Sequence, residues 1–221
     1  MKRASLLLVS LLGCGYGSSS GAYNGTDMSI FFPFDGPREA EYVNDDPEVV
    51  PHLYMHMELP NGGDWGDDVE RETATLEYSL GEPGETATPF YSVQLSKLSH
   101  NATRIEGYAA GGEAVTDYEN RLNLTGGDWL TGSTTSRYDD DGAYWTSKYV
   151  EVVDCPVPWA GVEATNCAHI HIDNDQDTEV VRPFFAGDYY LIPDYGIAWI
   201  QGLGDTEPWK LLDYTGGPEE E

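Results

Sequence analysis

Hydrophobic and polar residues alternate with a period of two in several stretches of this chain. In 52–59, Leu53, Met55, Met57 and Leu59 fall on one side, and His52, Tyr54, His56 and Glu58 on the other. Ala74, Leu76, Tyr78 and Leu80 repeat the pattern, as do Tyr91, Val93 and Leu95. Side chains of a strand point alternately to its two faces, so this pattern predicts half-buried strands. Further strands are expected near 103–109, 143–153, 168–173, 188–193, 196–201 and 209–214. Breakers separate them: Asn61-Gly62-Gly63-Asp64, Gly81-Glu82-Pro83-Gly84, Gly111-Gly112 and Asp139-Asp140-Asp141-Gly142. No window carries a sustained helical period with caps. The expectation is an all-β, mainly antiparallel single domain over 28–217, built as a sandwich or a curved half-barrel. The tetrapeptide Gly-Gly-Asp-Trp stands at both 62–65 and 126–129, and it reads as a recurring turn with an aromatic anchor.

The first residues follow another rule. Met1-Lys2-Arg3 is a positive start, and Ala4 to Leu12 is an uncharged apolar run. A spanning helix needs roughly 20 apolar residues, so the run has the proportions of a signal peptide. It ends in Leu11-Leu12-Gly13-Cys14 and resembles the lipobox of bacterial lipoproteins. That resemblance implies removal of residues 1–13, lipidation of Cys14 with diacylglycerol and palmitate-type chains, and a membrane partner through that anchor. Gly15 follows the cysteine where inner-membrane retention would favour Asp, so the outer membrane of a Gram-negative bacterium is the expected location. Leu12 departs from the usual small residue, which keeps a secreted or periplasmic soluble form as the alternative. Residues 14–27, rich in Gly and Ser, read as the lipidated Cys and a flexible tether. Residues 218–221 form an acidic tail.

Composition changes the picture in one respect. Lys plus Arg total 11 against 39 Asp plus Glu, a formal charge of −28 that becomes −30 once Lys2 and Arg3 leave with the leader. A phosphate backbone would be repelled by such a chain, which excludes electrostatic binding of nucleic acid. With Cys14 lipidated, Cys155 and Cys167 remain as an even pair in an oxidising compartment. The Pro156-Val157-Pro158-Trp159 loop between them favours a disulfide over a metal pair.

The C-terminal half runs Cys167-Ala168-His169-Ile170-His171-Ile172-Asp173-Asn174-Asp175, then Pro183-Phe184-Phe185-Ala186-Gly187-Asp188-Tyr189-Tyr190. It continues Tyr195-Gly196-Ile197-Ala198-Trp199-Ile200-Gln201 and closes on Trp209-Lys210-Leu211-Leu212. Together with Phe32-Pro33-Phe34-Asp35-Gly36, this resembles a loose set of uncharacterised Gram-negative exported lipoproteins with a C-terminal Tyr-Gly…Trp-x-Leu hairpin. The resemblance covers about a third of the chain and implies an exported, β-rich lipoprotein. It carries no activity and no catalytic residues.

Candidate chemistry lies in two groups. His169 and His171 stand at i and i+2 with Asp173 next on the same face, and His52 and His56 share the polar face of their own strand. Were those strands neighbours, the imidazoles and carboxylate would suit a transition metal such as Zn²⁺ or Cu²⁺. The same residues equally suit the wet side of a half-buried sheet. Asp173, Asp175 and Asp177 alternate as in a calcium loop, yet Thr178 and Phe184 stand where an EF-hand wants Gly and Glu. A weak calcium site remains an expectation there and at Asp139, Asp140 and Asp141. No cofactor is otherwise expected.

Nucleophile-elbow, zinc-protease and phosphate-loop motifs do not occur. The expected function is therefore a non-catalytic cell-envelope lipoprotein, structural or meeting an envelope protein or polysaccharide through its surface. The first alternative is a carrier holding a lipid or other hydrophobic ligand in a β cavity, with Met55, Met57, Phe90, Phe184 and Phe185 as candidate lining. The second is metal or calcium binding through the His and Asp groups.

Overall fold

In the computed structural model the described residues are 25–27, 31–32, 36–45, 52–59, 71–82, 86–98, 103–111, 113–125, 128–155, 166–175, 186–202 and 207–216. Fourteen strands carry them, in chain order. The first half holds β1 (Gly25–Asp27), β2 (Arg38–Asn44), β3 (His52–Glu58), β4 (Arg71–Gly81), β5 (Thr88–Leu98), β6 (Thr103–Ala110) and β7 (Thr116–Asn123). The second holds β8 (Asp128–Leu130), β9 (Thr134–Tyr138), β10 (Tyr144–Val153), β11 (Cys167–Asn174), β12 (Gly187–Ile192), β13 (Gly196–Gly202) and β14 (Trp209–Thr215). The all-β, antiparallel architecture expected from the alternation is the observed one.

Among the described residues, twelve strands form one sheet, in the order β7-β6-β5-β4-β3-β2-β14-β13-β12-β11-β10-β9, and β1 pairs with β8 in a separate two-stranded sheet. Each half of the chain is thus an antiparallel meander, and β14 joins the halves by pairing with β2. The sheet curls until its end strands meet. An antiparallel bridge links Tyr118 on β7 to Asp139 just after β9, and the Asp140 N–H donates to the Asp117 carbonyl at 2.8 Å. The product is a nearly closed half-barrel, whose curl covers edges that would otherwise template aggregation.

The inner face takes the apolar half of each alternation. Leu53, Met55, Met57, Ala74, Leu76, Tyr78, Tyr91, Val93, Leu95, Ile170 and Ile172 are all buried, while His56, Glu58, Thr75 and Glu77 face solvent. Cross-strand pairs then lock the register: Met55 opposite Tyr78, Tyr78 opposite Tyr91, Tyr149 opposite Ile170, and Ile170 opposite Tyr189. Six of the largest fully buried side chains are aromatic: Trp145, Tyr42, Tyr78, Tyr91, Tyr149 and Tyr189. A sheet this wide encloses more space than aliphatic side chains alone would fill, and these rings occupy it. Tyr42 shows how a ring carrying a hydroxyl is accommodated, since it donates to the Ile197 carbonyl at 2.8 Å. Burial raises the Tyr42, Tyr78 and Tyr118 hydroxyls above their ordinary range, so they remain protonated donors.

Five strands, β1, β2, β7, β8 and β9, lie outside the sequence expectation. Strand β2 buries Arg38, Ala40, Tyr42 and Asn44, an inner set with two polar members that breaks the apolar alternation. The Arg38 guanidinium is accommodated by the Asp194 carbonyl at 2.8 Å, by the Tyr214 hydroxyl, and by the Tyr214 ring beneath it at 5.7 Å. Strand β7 places Tyr118 and Leu122 inward, and β9, Thr-Thr-Ser-Arg-Tyr, has no aliphatic residue at all. Both terminate the sheet, where packing asks less of the sequence. Residues 25–27, expected in the tether, form β1 against β8.

Candidate functional site

The disulfide expectation holds: Cys155 and Cys167 are bonded, with Cα atoms 4.9 Å apart. The bond anchors the start of β11, the strand that carries His169 and His171. Both histidines alternate with buried Ile170 and Ile172, so both point outward. Their partner is Asp188 on β12, which the β11–β12 register places opposite His171. Asp188 Oδ1 lies 2.6 Å from His169 Nε2 and 3.0 Å from His171 Nδ1.

The carboxylate sits well below its usual range, chiefly through hydrogen bonds from both imidazoles, against a smaller opposing effect of burial. His171 is raised, first by its hydrogen bond to Asp188, with burial opposing and the Asp188 charge adding to the rise. Tyr190 extends the strip: it stacks on His169 at 4.5 Å and meets Trp199 edge-on at 4.8 Å.

The other histidine pair stands apart. Strands β2, β14, β13 and β12 lie between β3 and β11, so His52 and His56 do not converge with His169 and His171. Each finds its own acid on β2: His52 Nδ1 is 2.5 Å from Glu41 Oε1, and His56 Nδ1 is 3.5 Å from Glu39 Oε1. His56, but not His52, borders an open hollow of about 330 Å³ that also presents Tyr54, Glu77 and Asp213. Asp173 is exposed, and its Oδ1 accepts the Asn174 N–H at 2.8 Å instead of an imidazole hydrogen bond. Among the described residues, no three His, Cys, Asp or Glu side chains group as a metal ion requires.

The acidic turn divides in two. Asp139, only 2% exposed, is bound from within: its Oδ2 accepts from Trp145 Nε1 at 2.8 Å and from the Tyr108 hydroxyl at 2.9 Å. Its Oδ1 accepts the Ala143 N–H at 2.8 Å. Gly142, at φ +85°, supplies the left-handed conformation that turns the chain back into β10. Asp140 and Asp141 remain exposed, and Thr116 Oγ1 donates to Asp141 Oδ2 at 3.3 Å. Asp175 accepts the Tyr144 N–H at 2.9 Å, tying the end of β11 to the start of β10.

A second, larger hollow of about 900 Å³ lies over β4–β7 and reaches Arg137 of β9; Arg104, Arg121 and Glu106 line it. Sequence reasoning missed both this hollow and Asp188. A signal for Asp188 existed, since it alternates with Tyr190 on one strand face, but its register against β11 depends on a connection the pattern does not reveal. Cys14 with residues 1–13, Asp177 and 218–221 lie outside the described residues.

No family model, no curated protein and no solved structure matches this chain.

Proposed function

We propose that the chain is an exported, lipid-anchored, non-catalytic protein of the cell envelope that works through the outer face of its half-barrel. The observation that carries this reading is the division of labour between the two faces. The inner face is packed with Trp145, Tyr42, Tyr78, Tyr91, Tyr149 and Tyr189, and both hollows described above open on the outer side. A carrier needs the reverse, an apolar interior left open for its ligand. Of the candidate lining, Met55 and Met57 are buried in the core and Phe90 is partly buried against it, while Phe184 and Phe185 lie outside the described residues.

Polar and aromatic side chains available for recognition stand on the outer face: His169, His171, Asp188, Tyr190 and Trp199 on one flank, and Gln94, Arg104, Arg121 and Asn123 on another. The envelope setting is supported by the lipobox-like Leu11-Leu12-Gly13-Cys14 and by the Cys155–Cys167 disulfide, which belongs to an oxidising compartment. The transition-metal alternative has less support, because His169 and His171 both hydrogen-bond Asp188 and no trio of His, Cys, Asp or Glu among the described residues is grouped as a metal ion requires. A calcium site would rest on Asp140 and Asp141, since Asp139 is engaged from inside.

Two experiments test the two halves of this reading. In a Gram-negative host, Cys14→Ser should move the protein from the membrane to the soluble fraction; unchanged fractionation would refute the anchor. Titration with a fluorescent fatty acid should show no saturable uptake. Saturable binding at micromolar concentration or below would overturn the surface role in favour of a carrier.

A further inference from the structure

The chain has 11 basic residues against 39 acidic ones, yet three arginines meet in one place. Arg104 of β6, Arg121 of β7 and Arg137 of β9 line the hollow of about 900 Å³ beside the seam, together with Thr73, Gln94 and Asn123. The hydrogen bonds there account for Arg121 but leave the other two partly unused. Arg121 Nε donates to Glu106 Oε2 at 2.8 Å, and the Ser96 hydroxyl takes the other oxygen of Glu106. Arg137 Nη1 donates to the Ser136 carbonyl at 2.6 Å. The Nε atoms of Arg104 and Arg137 are buried and have no hydrogen-bond partner among the described residues. Neither Arg104 nor Arg137 forms an ion pair with an acid among the described residues, unlike Arg121, so their guanidinium charge is what the hollow offers an anionic ligand.

We propose that this groove binds an acidic sugar, with its carboxylate or sulfate held by Arg104 and Arg137 and its hydroxyls by Gln94, Asn123 and Thr73. A guanidinium offers a planar fork that matches an oxyanion in two parallel hydrogen bonds. Amide and hydroxyl side chains both donate and accept, as sugar hydroxyls require. Asp117 and Glu119 also line the hollow, where their carboxylates can accept from sugar hydroxyls and disfavour densely charged polyanions. The overall charge of −28 adds to that discrimination, because its field opposes any ligand whose negative charge is not diluted by neutral polar groups. A uronate-type oligosaccharide, with one oxyanion on each ring, meets both conditions.

The seam gives the site its shape. Arg137 comes from the last strand of the sheet and Arg104 and Arg121 from the first two, so the groove exists only when β7 and β9 meet. The proposal rests on the outer-face reading above, but it fails separately: fatty-acid uptake would overturn that reading without touching sugar binding.

The test is calorimetric titration of the disulfide-bonded protein with a galacturonate tetramer and a sulfated tetrasaccharide, alongside a neutral tetrasaccharide and inorganic sulfate. Saturable binding of one acidic tetramer is expected, at least tenfold tighter than the neutral sugar or the inorganic ion. Arg104→Gln with Arg137→Gln should weaken it tenfold or more. Gln94→Ala, an exposed change that leaves the arginines in place, should weaken it about threefold; this variant also serves if the double variant does not fold. Absence of binding to both acidic sugars would overturn the proposal. So would equal affinity for inorganic sulfate, or a folded double variant that binds as tightly as the parent.

Discussion

Two aspartates, Asp139 and Asp188, show how one sheet treats the same side chain on its two faces. Asp139 is buried, and every hydrogen bond described for it comes from the protein: an indole, a phenol and a main-chain N–H. Asp188 is about 39% exposed, and its donors are the imidazoles of His169 and His171, the latter raised by this contact. The inner carboxylate therefore joins strands permanently, drawing β6, β10 and the turn after β9 together where the sheet closes. The outer one is held by a clasp that solvent reaches and pH can loosen. Burial sets the strength of such a cluster, and titratable partners set its reversibility.

The largest effect should come from breaking the inner cluster. Asp139→Ala leaves Trp145, Tyr108 and the Ala143 N–H without their acceptor. It should cost about 3 kcal/mol or more in denaturant unfolding, with Asp139→Asn milder because the amide oxygen still accepts. A loss below about 1 kcal/mol would mean that the seam does not depend on this residue. Next comes the Cys155–Cys167 bond, which closes a loop with a sequence separation of 12. Cys155→Ser with Cys167→Ser should cost about 2–3 kcal/mol on the chain-entropy account, and the untreated protein should show no free thiol at these positions when denatured.

The outer cluster should matter far less to stability. Asp188→Asn should cost no more than about 1 kcal/mol, since solvent screens a pair whose members are 35% and 39% exposed.

The smallest effect is the one whose sign depends on pH. Asp188 is lowered in the folded state, so its contribution is present above the ordinary aspartate value near 4 and fades as pH falls. His171 is raised, so its contribution is complete below the ordinary histidine value of about 6.5 and fades as pH rises through the raised value. The stabilisation is therefore greatest between about pH 4 and 6.5. Stability measured across that range should show the bulge in the parent and lose it in Asp188→Asn; an unchanged profile would remove the cluster from the account.

The same contrast explains what the sequence made legible. The faces of β3, β4, β5 and β11 could be read because each alternates large apolar residues with charged or hydroxylated ones. The inward turn of Leu53, Met55 and Met57 follows from that pattern alone. Strand β2 could not be read, because its inner residues Arg38 and Asn44 depend on partners more than 150 positions away, at Asp194 and Glu207. Strand β9 carries too little apolar surface for any periodicity. Sheet order was equally hidden. The sequence placed four histidines on polar faces correctly, but whether β3 and β11 are neighbours is a matter of topology, and the curl of the sheet keeps them apart. Asp139 looked like one acid of an exposed run; its burial follows from Trp145 on the neighbouring strand β10 and from Tyr108 of β6 reaching it across the seam.

The central claim is that the interior is filled by the protein's own rings and that function lies outside. Native mass spectrometry of residues 15–221, exported through a periplasm and purified without chelator, tests it most directly. The predicted mass is that of the bare disulfide-bonded polypeptide. A retained adduct of hundreds of daltons, resistant to chelator and released on denaturation, would mean that the half-barrel opens around a hydrophobic ligand, and would contradict the claim.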